Sequence, residues 1–296
     1  MKEKPFSKYQ ILANAVIIIW TLAIILPFIL LFMSSITDEN TLVANGYSFF
    51  PKKFSLASYS YIIKSGGQIL KAYGVSIGVT VVGTLLNVLL SALMAYPLSV
   101  KNLPGRNVMM FFVFFTMLFN GGIVPSYIMW TGTFHIKDTI FAQLLPNFLL
   151  SAWNVMMIRT YFTTSIPDGL YEAAEIDGAS QFTIFWKIVL PLGKPILVTM
   201  GTFAGLAYWN DWTNGLYYIV KNTGLYNVQN LLNQMVQNIQ FLTQSSNSNV
   251  TAAASTIPAT GIQMAIAFVA ILPIMLIFPS FQKYYAKGIA LGAVKG

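Results

Sequence analysis

The chain has 296 residues, of which 56% are hydrophobic and 9% are charged, and its formal net charge is +8. Soluble domains carry far more charge, so this composition favours a protein that lies within a membrane. The absence of cysteine excludes a disulfide framework and cysteine-based metal sites, and without a basic stripe interleaved with aromatic residues nothing supports nucleic-acid binding.

Apolar segments along the chain predict an all-α polytopic membrane protein with six transmembrane helices, because a bilayer core of about 30 Å requires roughly 20 apolar residues per helix. The predicted spans are residues 10–34, 72–100, 107–131, 139–161, 193–218 and 259–282. The first span is longer than the apolar region of a signal peptide, and no small-x-small cleavage site follows it. We therefore expect it to remain as an anchor.

The basic residues predict that the N-terminus and the C-terminus are both cytoplasmic. Eleven of the 17 lysines and arginines then lie on the cytoplasmic side, namely Lys2, Lys4, Lys8, Lys101, Arg106, Arg159, Lys187, Lys194, Lys283, Lys287 and Lys295. Under this topology residues 162–192 form a cytoplasmic loop, while residues 35–71 and 219–258 form outer loops. The positive net charge is therefore explained by topology.

Two absences limit the source of energy for transport. None of the spans carries an ionisable residue deep in the bilayer, as a proton- or sodium-coupled carrier usually does. The nucleotide-binding pattern G-x-x-x-x-G-K-[ST] is also missing, since Gly193-Lys194 is followed by Pro195. If ATP drives this protein, another chain binds it.

Small residues recur at helical spacing in two of the predicted spans. Gly74, Gly78 and Gly83 lie in the second span, and Gly201 and Gly205 lie four residues apart in the fifth. Such spacing lets helix backbones approach closely. We expect these glycines to serve helix packing rather than ligand binding.

An acidic, helix-prone segment follows the fourth span. Ser165 is the predicted N-cap, Asp168 lies in the first turn, and Gly178 is the predicted C′ residue that ends the helix. The helix would be about 10 to 12 residues long, or roughly 15 to 18 Å. Ser180 is then placed to cap a second helix that leads to Pro191.

The charge pattern of this short helix leaves two interpretations open. Asp168, Glu172 and Glu175 share one face and repel one another, and Asp177 lies at the unfavourable C-terminal end. A free helix of this length is marginal in water. Either it is held at both ends and docks in a groove of a partner protein, or it is a solvated surface helix whose acids serve solubility.

A resemblance favours the docked helix. Glu172-Ala-Ala, three residues, Gly178, nine residues and then Ile188-Val-Leu-Pro191 resembles the EAA motif of membrane subunits of binding-protein-dependent ABC importers. Nearly the whole chain is similar to carbohydrate-importer permeases of the maltose-permease type. Further matching segments are Asn120–Pro125, Tyr208–Trp212 and the C-terminal Phe281–Gly296, the last resembling the subgroup that imports oligosaccharides.

The resemblance implies the ABC type I importer permease fold and a coupling role for the loop. Its short helix would sit in a cleft of a cytoplasmic ATPase subunit and move with it. The residues that the match assigns to this coupling are Glu172, Ala173, Ala174, Asp177, Gly178, Ile188 and Pro191. The chain itself would be a translocation subunit and not an enzyme, with ATP and magnesium bound by the partner ATPases.

The resemblance also implies partners and a location. The expected assembly contains a second homologous permease subunit, two cytoplasmic ATPase subunits and an extracytoplasmic sugar-binding protein. It would lie in the cytoplasmic membrane of a bacterium, as a multi-pass protein in contact with the lipid bilayer. No nucleic-acid partner is expected.

An aromatic cluster where the fifth span meets the outer surface is the candidate substrate pathway. Its residues are Tyr208, Trp209, Asn210, Asp211 and Trp212. The rings could stack on sugar C–H groups, and Asn210 and Asp211 could bond hydroxyls. The alternative is an interfacial aromatic belt or subunit packing, which also enriches Trp and Tyr at this level.

The sequence supports one principal function and leaves two rivals. The principal hypothesis is a permease subunit of an ATP-driven importer of sugars, with oligosaccharides as its substrates, working by alternating access. A permease for a non-sugar solute on the same scaffold also fits the EAA motif. An ion-coupled secondary carrier or channel, working without ATPases, is the rival of a different class.

Overall fold

The structure, a computed structural model, describes residues 8–64, 66–244 and 259–293. All regular secondary structure in these residues is helical; the one β-type contact there is an isolated bridge between Thr37 and Phe54. The prediction of an all-α protein is confirmed. The polar connector at residues 245–258 lies outside the described residues.

The helices vary widely in length. In chain order they are α1 (Lys8–Ser35), α2 (Glu39–Asn45), α3 (Ala57–Lys64), α4 (Gly66–Ser99), α5 (Arg106–Leu118), α6 (Ile123–Ile128), α7 (Phe141–Leu144), α8 (Ala152–Ser165), α9 (Asp168–Ile176), α10 (Gln181–Ile184), α11 (Leu190–Leu192), α12 (Lys194–Trp209), α13 (Thr213–Tyr218), α14 (Val228–Gln244) and α15 (Ala259–Ala293). Two π-helical turns, Met129–Thr133 and Phe185–Val189, and a 3₁₀ turn, Thr223–Leu225, complete the set.

Long apolar helices match several of the predicted spans. Within the described residues, Tyr9–Ser35, Gly66–Ser99 and Thr260–Ile277 are each long and apolar enough to cross a bilayer. Two bent pairs, α5 with Ile123–Thr133 and Gln181–Leu192 with α12, raise the number to five if each pair is one span. The six-span count stays a prediction.

The predicted fourth span has an unexpected local structure. Residues 139–161 are divided between α7 and the first part of α8, and the chain between these two helices contains turns and bends. Asn147 adopts a φ of 67° in this connection, a left-handed conformation that a short polar side chain tolerates better than most. Pro146 precedes it and cannot donate a helical hydrogen bond.

The chain divides into two compact units, and the first comprises the residues up to Ile69 together with Leu232–Pro273. Glu39 in α2 caps the start of α15, because its two carboxylate oxygens accept hydrogen bonds from the backbone N–H groups of Thr260 and Gly261, each at 2.8 Å. Anions are favourable at this end of a helix. In α1, every side chain from position 9 to position 29 is exposed, which suits an apolar helix surrounded by lipid.

The second unit comprises Leu70–Leu231 and the residues from Ile274 onward. Its largest apolar core is formed by the C-terminal part of α4, by α8 and by residues 184–189. The most deeply buried members are Ala92, Ala95, Val155, Ile158, Phe162, Ile184 and Val189. This core lies directly beneath α9, so it sets the position of the short acidic helix.

Glycines bring α12 close to α4 in the second unit. A Cβ atom at Gly201 would lie 3.2 Å from Val88 Cγ2, and one at Gly205 would lie 3.3 Å from Thr84 Oγ1. A Cβ at Gly83 would overlap the ring of Tyr208. The packing role predicted for these three glycines is confirmed. Gly74 and Gly78 differ, since a Cβ there meets no atom of the described residues within 4 Å.

Candidate functional site: a capped helix and an outer polar cluster

The helix α9 begins later than the sequence predicts. Ser165 is the last residue of α8, and the N-cap of α9 is Pro167, which has no side-chain hydrogen bond to offer. The predicted N-cap at Ser165 is therefore wrong. The reason lies in the tertiary structure. Ile166, between α8 and α9, is 3% exposed, so burial of its side chain sets where α8 ends and α9 begins. Asp168 does lie in the first turn, as predicted.

The C-terminal end of α9 agrees with the prediction. Gly178 has a φ of 75°, the left-handed conformation that glycine adopts without a Cβ clash. The N–H of Ala179 bonds to the carbonyl of Ala174 at 2.9 Å, and the N–H of Gly178 bonds to that of Glu175 at 3.0 Å. These two bonds form a Schellman motif. The helix has nine residues, slightly fewer than expected.

The inner face of α9 is anchored to the core of its own unit. Ala174 is 8% exposed and joins the apolar cluster described above. The ring of Tyr171 stacks on that of Tyr96, with centroids 6.4 Å apart, and burial raises the pKa of the Tyr171 hydroxyl. Because Ala174 packs inward, its small size serves the attachment of α9 to its own subunit.

Polar contacts hold both ends of α9. Tyr96 donates a hydrogen bond to Gln181 Oε1 at 2.5 Å, and Gln181 Nε2 donates to Glu175 Oε1 at 2.9 Å. At the other end, Lys101 forms an exposed ion pair with Asp168. An exposed pair of this kind contributes little stability, so we assign the main anchoring of α9 to Ala174 and to the stacking of Tyr171 on the buried ring of Tyr96.

The outer face of α9 is apolar with an acidic rim. Glu172 and Ala173 are exposed, Ile176 is 86% exposed, and Leu170 is 41% exposed. Phe182, just beyond the helix, is 68% exposed. Phe182 contacts the ring of Trp186, and Ile176 is the least covered of these apolar side chains. A face of this kind fits a partner groove rather than a purely solvated surface, which supports the first of the two interpretations above.

The second half of the motif continues from α9 into the core. Ser180 caps α10, because its side chain accepts a hydrogen bond from the N–H of Thr183 at 3.2 Å, as predicted. A π-helical turn then carries Val189, which is fully buried, and Ile188, which is half-buried, while Pro191 is exposed. The segment from Asp168 to Pro191 is hereafter called the EAA segment.

The five residues proposed for the substrate pathway do not share one surface. Tyr208, Trp209 and Asp211 are buried, at 2%, 7% and 5% exposure, while Asn210 and Trp212 are exposed. Tyr208 donates to the carbonyl of Leu144 at 2.9 Å, which is a packing contact inside the unit. This placement favours the packing alternative for the buried aromatic residues, and the pathway role stays a prediction.

A network of amide side chains surrounds Asp211, and sequence reasoning missed it. Asp211 Oδ1 accepts bonds from the N–H groups of Thr213 at 2.9 Å and Asn214 at 3.2 Å. Asn227 donates to the carbonyl of Asp211 at 2.6 Å, and Asn214 donates to that of Pro146 at 3.1 Å. The signal available in the sequence was the high density of asparagine between positions 210 and 230.

Asp138 makes a second polar connection in the same unit. Its Oδ1 accepts three backbone hydrogen bonds, from Val220 and Lys221 at 2.7 Å each and from Asn222 at 3.2 Å. The bond from Lys221 is the main cause that lowers the pKa of this carboxyl. Asp138 has a φ of 59°, so the contact holds the backbone in an unusual conformation.

An open groove lies beside α4 in the second unit. It encloses about 560 Å³ and is lined by Lys71, Gly74, Val75, Gly78, Val79, Val82, Ile140, Leu144 and Gly224. Lys71 is the one charged residue in this lining. No group of three or more His, Cys, Asp or Glu residues in the described chain could hold a metal ion.

The fold and the EAA segment define a polytopic helical membrane protein with a short, capped helix that has an exposed face. The chain belongs to the family described as binding-protein-dependent transport system inner membrane component, which it matches over residues 74–291. It is therefore a membrane-embedded permease subunit of an ABC transporter, and the ion-coupled carrier and channel alternatives lose their support.

Relatives and a solved structure agree with this family. The chain is 36% identical to protein LplC of Bacillus subtilis, over 92% of this chain and 90% of that protein. It is also 36% identical to the polygalacturonan/rhamnogalacturonan transport system permease protein YtcP of Bacillus subtilis, over the full length of both. A bacterial ABC transporter involved in the import of the acidic polysaccharide alginate has the same fold, with a TM-score of 0.79 and 26% identity, over 96% of this chain and 100% of that one.

Proposed function

We propose that this chain is one of two membrane subunits of an ATP-driven importer of oligosaccharides, and that the EAA segment couples it to a cytoplasmic ATPase. The observation that carries the proposal is the two-sided character of α9. Its inner face is fixed by Ala174 and Tyr171, while Ile176 and Glu172 on the outer face have no cover from the described part of this chain.

This geometry suits the transmission of movement. A helix fixed to its own core and capped at the C-terminal end moves with the unit that carries it. If a partner binds the outer face, closure of the partner shifts α9. The contacts of Tyr96 with Tyr171 and Gln181 then transmit the shift to the C-terminal end of α4. Packed interfaces convert such a shift into a change between discrete states. The expected outcome is alternating access, in which the two membrane subunits open toward opposite sides in turn.

The family supports a proposal for the assembly. Transport would require a second, homologous permease subunit, two ATPases and an extracytoplasmic binding protein, with ATP and magnesium bound to the ATPases. Residues 162–192 would be cytoplasmic, and six spans would place both termini on that side. The names of the relatives support a saccharide as the substrate, since YtcP and the permease AraQ of Bacillus subtilis, 26% identical to this chain over the full length of both, are both described as saccharide transport permeases.

The native chain contains no cysteine, so single cysteines can test the coupling contact. We expect Ile176→Cys and Glu172→Cys to form crosslinks to the ATPase subunit in the purified complex, and crosslinking to change when ATP is bound. Leu216→Cys, whose native residue is 42% exposed and lies near the outer end of the predicted fifth span, is the matched control and should not react with the ATPase.

The same preparation tests transport. ATP-dependent uptake of oligosaccharide into vesicles should require all the subunits, and this chain alone should hydrolyse no ATP. The proposal fails if the α9 cysteines remain open to solvent in the intact complex and form no crosslink to an ATPase.

A further inference from the structure

We infer that the groove beside Lys71 binds a carboxylate group of an acidic oligosaccharide on its way through the importer. The inference rests on the proposed function and names the class of sugar. The groove encloses about 560 Å³, within the range of about 300 to 1,000 Å³ that is usual for small-molecule sites. Its lining combines apolar side chains with one cation, which suits a ligand that has both C–H surfaces and an anionic group.

The walls of the groove leave room for a ligand. Val75, Val79 and Val82 provide apolar surface along α4, and Leu144 provides it from α7. A Cβ added at Gly74 or Gly78 meets no atom of the described residues within 4 Å. These two glycines therefore do not serve packing within the described part of the chain, unlike Gly83.

No ion pair within the described residues involves Lys71. The ion pairs found among the described residues are Lys53 with Asp38 and Lys101 with Asp168. The carboxylate of Asp138, two residues from the groove residue Ile140, is bonded to the three N–H groups at residues 220–222. Lys71 is thus available to pair with an external carboxylate, which an ammonium group binds by charge-assisted hydrogen bonds.

The position of Lys71 fits the entrance of a transport path. In the predicted topology, Lys71, Ile140 and Gly224 all lie at the outer side, where a delivered sugar first meets the membrane subunits. Lysines near span ends are favoured on the cytoplasmic side, so topology gives no reason for a lysine here. A role in ligand binding would give such a reason.

The chemistry of the comparison proteins points to the same class of sugar. YtcP is described as a transporter of polygalacturonan and rhamnogalacturonan, and the solved transporter is described as importing the acidic polysaccharide alginate. Galacturonate chains carry a carboxylate on each sugar ring. The phosphate of an anionic lipid is a second source of the same negative charge at this level, and the test below separates it from the sugar.

The test measures occupancy of the groove in the complete importer complex. Val82, which is 45% exposed, is replaced by cysteine, and its reaction with a maleimide is followed with and without oligogalacturonate. We expect oligogalacturonate to slow the labelling, because its carboxylate pairs with Lys71, and a neutral oligosaccharide of equal length to have a smaller effect. Lys71→Gln should abolish the protection, whereas Lys71→Arg and the control Lys64→Gln should retain it.

Each contrary outcome is distinct. Equal protection in the Lys71→Gln and wild-type backgrounds would overturn the inference, and so would no protection by oligogalacturonate. Protection that follows the content of anionic lipid in the vesicles, rather than the sugar, would assign Lys71 to lipid headgroups and overturn it as well. Failure of the proposed function would appear separately, as a lack of ATP-dependent uptake of any oligosaccharide by the wild-type complex.

Discussion

At the scale of single residues, two positions with a positive φ each depend on the type of residue that occupies them. Gly178 ends α9 at a φ of 75°, and Asp138 has a φ of 59° while its carboxylate accepts hydrogen bonds from three backbone N–H groups. The first position needs glycine because of its conformation. The second depends on a charged side chain.

Gly178→Ala should weaken the end of α9. A side chain in the left-handed conformation costs about 1 to 2 kcal/mol. We therefore expect the C-terminal end of α9 to fray and oligosaccharide uptake to fall, while the protein inserts normally in the membrane. Gly169→Ala is the matched control, because Gly169 lies in the same helix with a negative φ and open space around it. Uptake assays and hydrogen exchange at residues 176–179 would measure both effects. Equal behaviour of the two variants would contradict this account.

The stability that Asp138 contributes should depend on pH. Its folded-state pKa is lowered, chiefly by the bond from Lys221, so the contribution is present above the ordinary carboxyl pKa of about 3.9 and is lost as the pH falls through the folded-state value. Asp138→Asn should lower the thermal unfolding midpoint at neutral pH. It should also make that midpoint decrease less steeply as the pH falls below about 4. Unfolding of the detergent-purified protein from pH 7 to pH 3 would measure this. Asp177→Asn is the comparison variant, and identical pH profiles for Asp138→Asn and the wild type would refute the prediction.

At the scale of elements, an amide pair joins α4 to α8. Asn154 donates to Asn87 Oδ1 at 2.7 Å, and Asn87 donates to the carbonyl of Phe148 at 2.6 Å. Both asparagines are buried: Asn87 is 2% exposed and Asn154 is 4% exposed. The second bond satisfies a carbonyl in the irregular connection between α7 and α8, as backbone away from water requires.

Asn87→Ala should therefore destabilise the unit by about 1 to 2 kcal/mol, because it leaves the carbonyl of Phe148 and the amide of Asn154 unpaired. Asn154→Ala should have a smaller effect, and the double variant should cost less than the sum of the two single changes. Thermal unfolding of the four proteins would give the coupling energy. Strictly additive effects would show that the pair does not act as a unit.

At the scale of the whole molecule, the open question that mutagenesis can answer is orientation. The distribution of lysine and arginine predicts cytoplasmic termini and a cytoplasmic EAA segment. The coupling proposal requires the same orientation, since the ATPases are on the cytoplasmic side. The absence of native cysteine makes labelling direct.

Asp177→Cys and Asn222→Cys should report opposite sides of the membrane. Both native residues are exposed, and they lie in the predicted cytoplasmic loop and the second outer loop. A membrane-impermeant maleimide added to intact cells should label the cysteine at position 222 and label that at position 177 only after the cells are opened. The reverse pattern would require the opposite topology, and labelling of both in intact cells would rule out the predicted arrangement of loops.

Local pattern by itself determined several features of this protein. The apolar segments predict membrane helices, and the described residues contain three helices that are long and apolar enough to cross a bilayer, or five if each bent pair is one span. The glycine after an acidic helix predicts a left-handed cap, and Gly178 forms it. The EAA motif predicts the family, which the comparisons confirm. Each of these rests on residues close together in the chain, where hydrophobic length and backbone conformation leave few alternatives.

Only the tertiary structure decided which face of each element is buried and which distant groups meet. Because Ile166 is buried, α9 begins after it and not at Ser165. Ala174 is buried in the core, whereas Ile176 is exposed. The hydrogen bonds that Asp138 accepts from residues 220–222, and the one that Asn87 accepts from Asn154, join groups more than 60 positions apart. No local pattern encodes such pairings, because they depend on how helices pack and on the requirement that buried polar groups find partners.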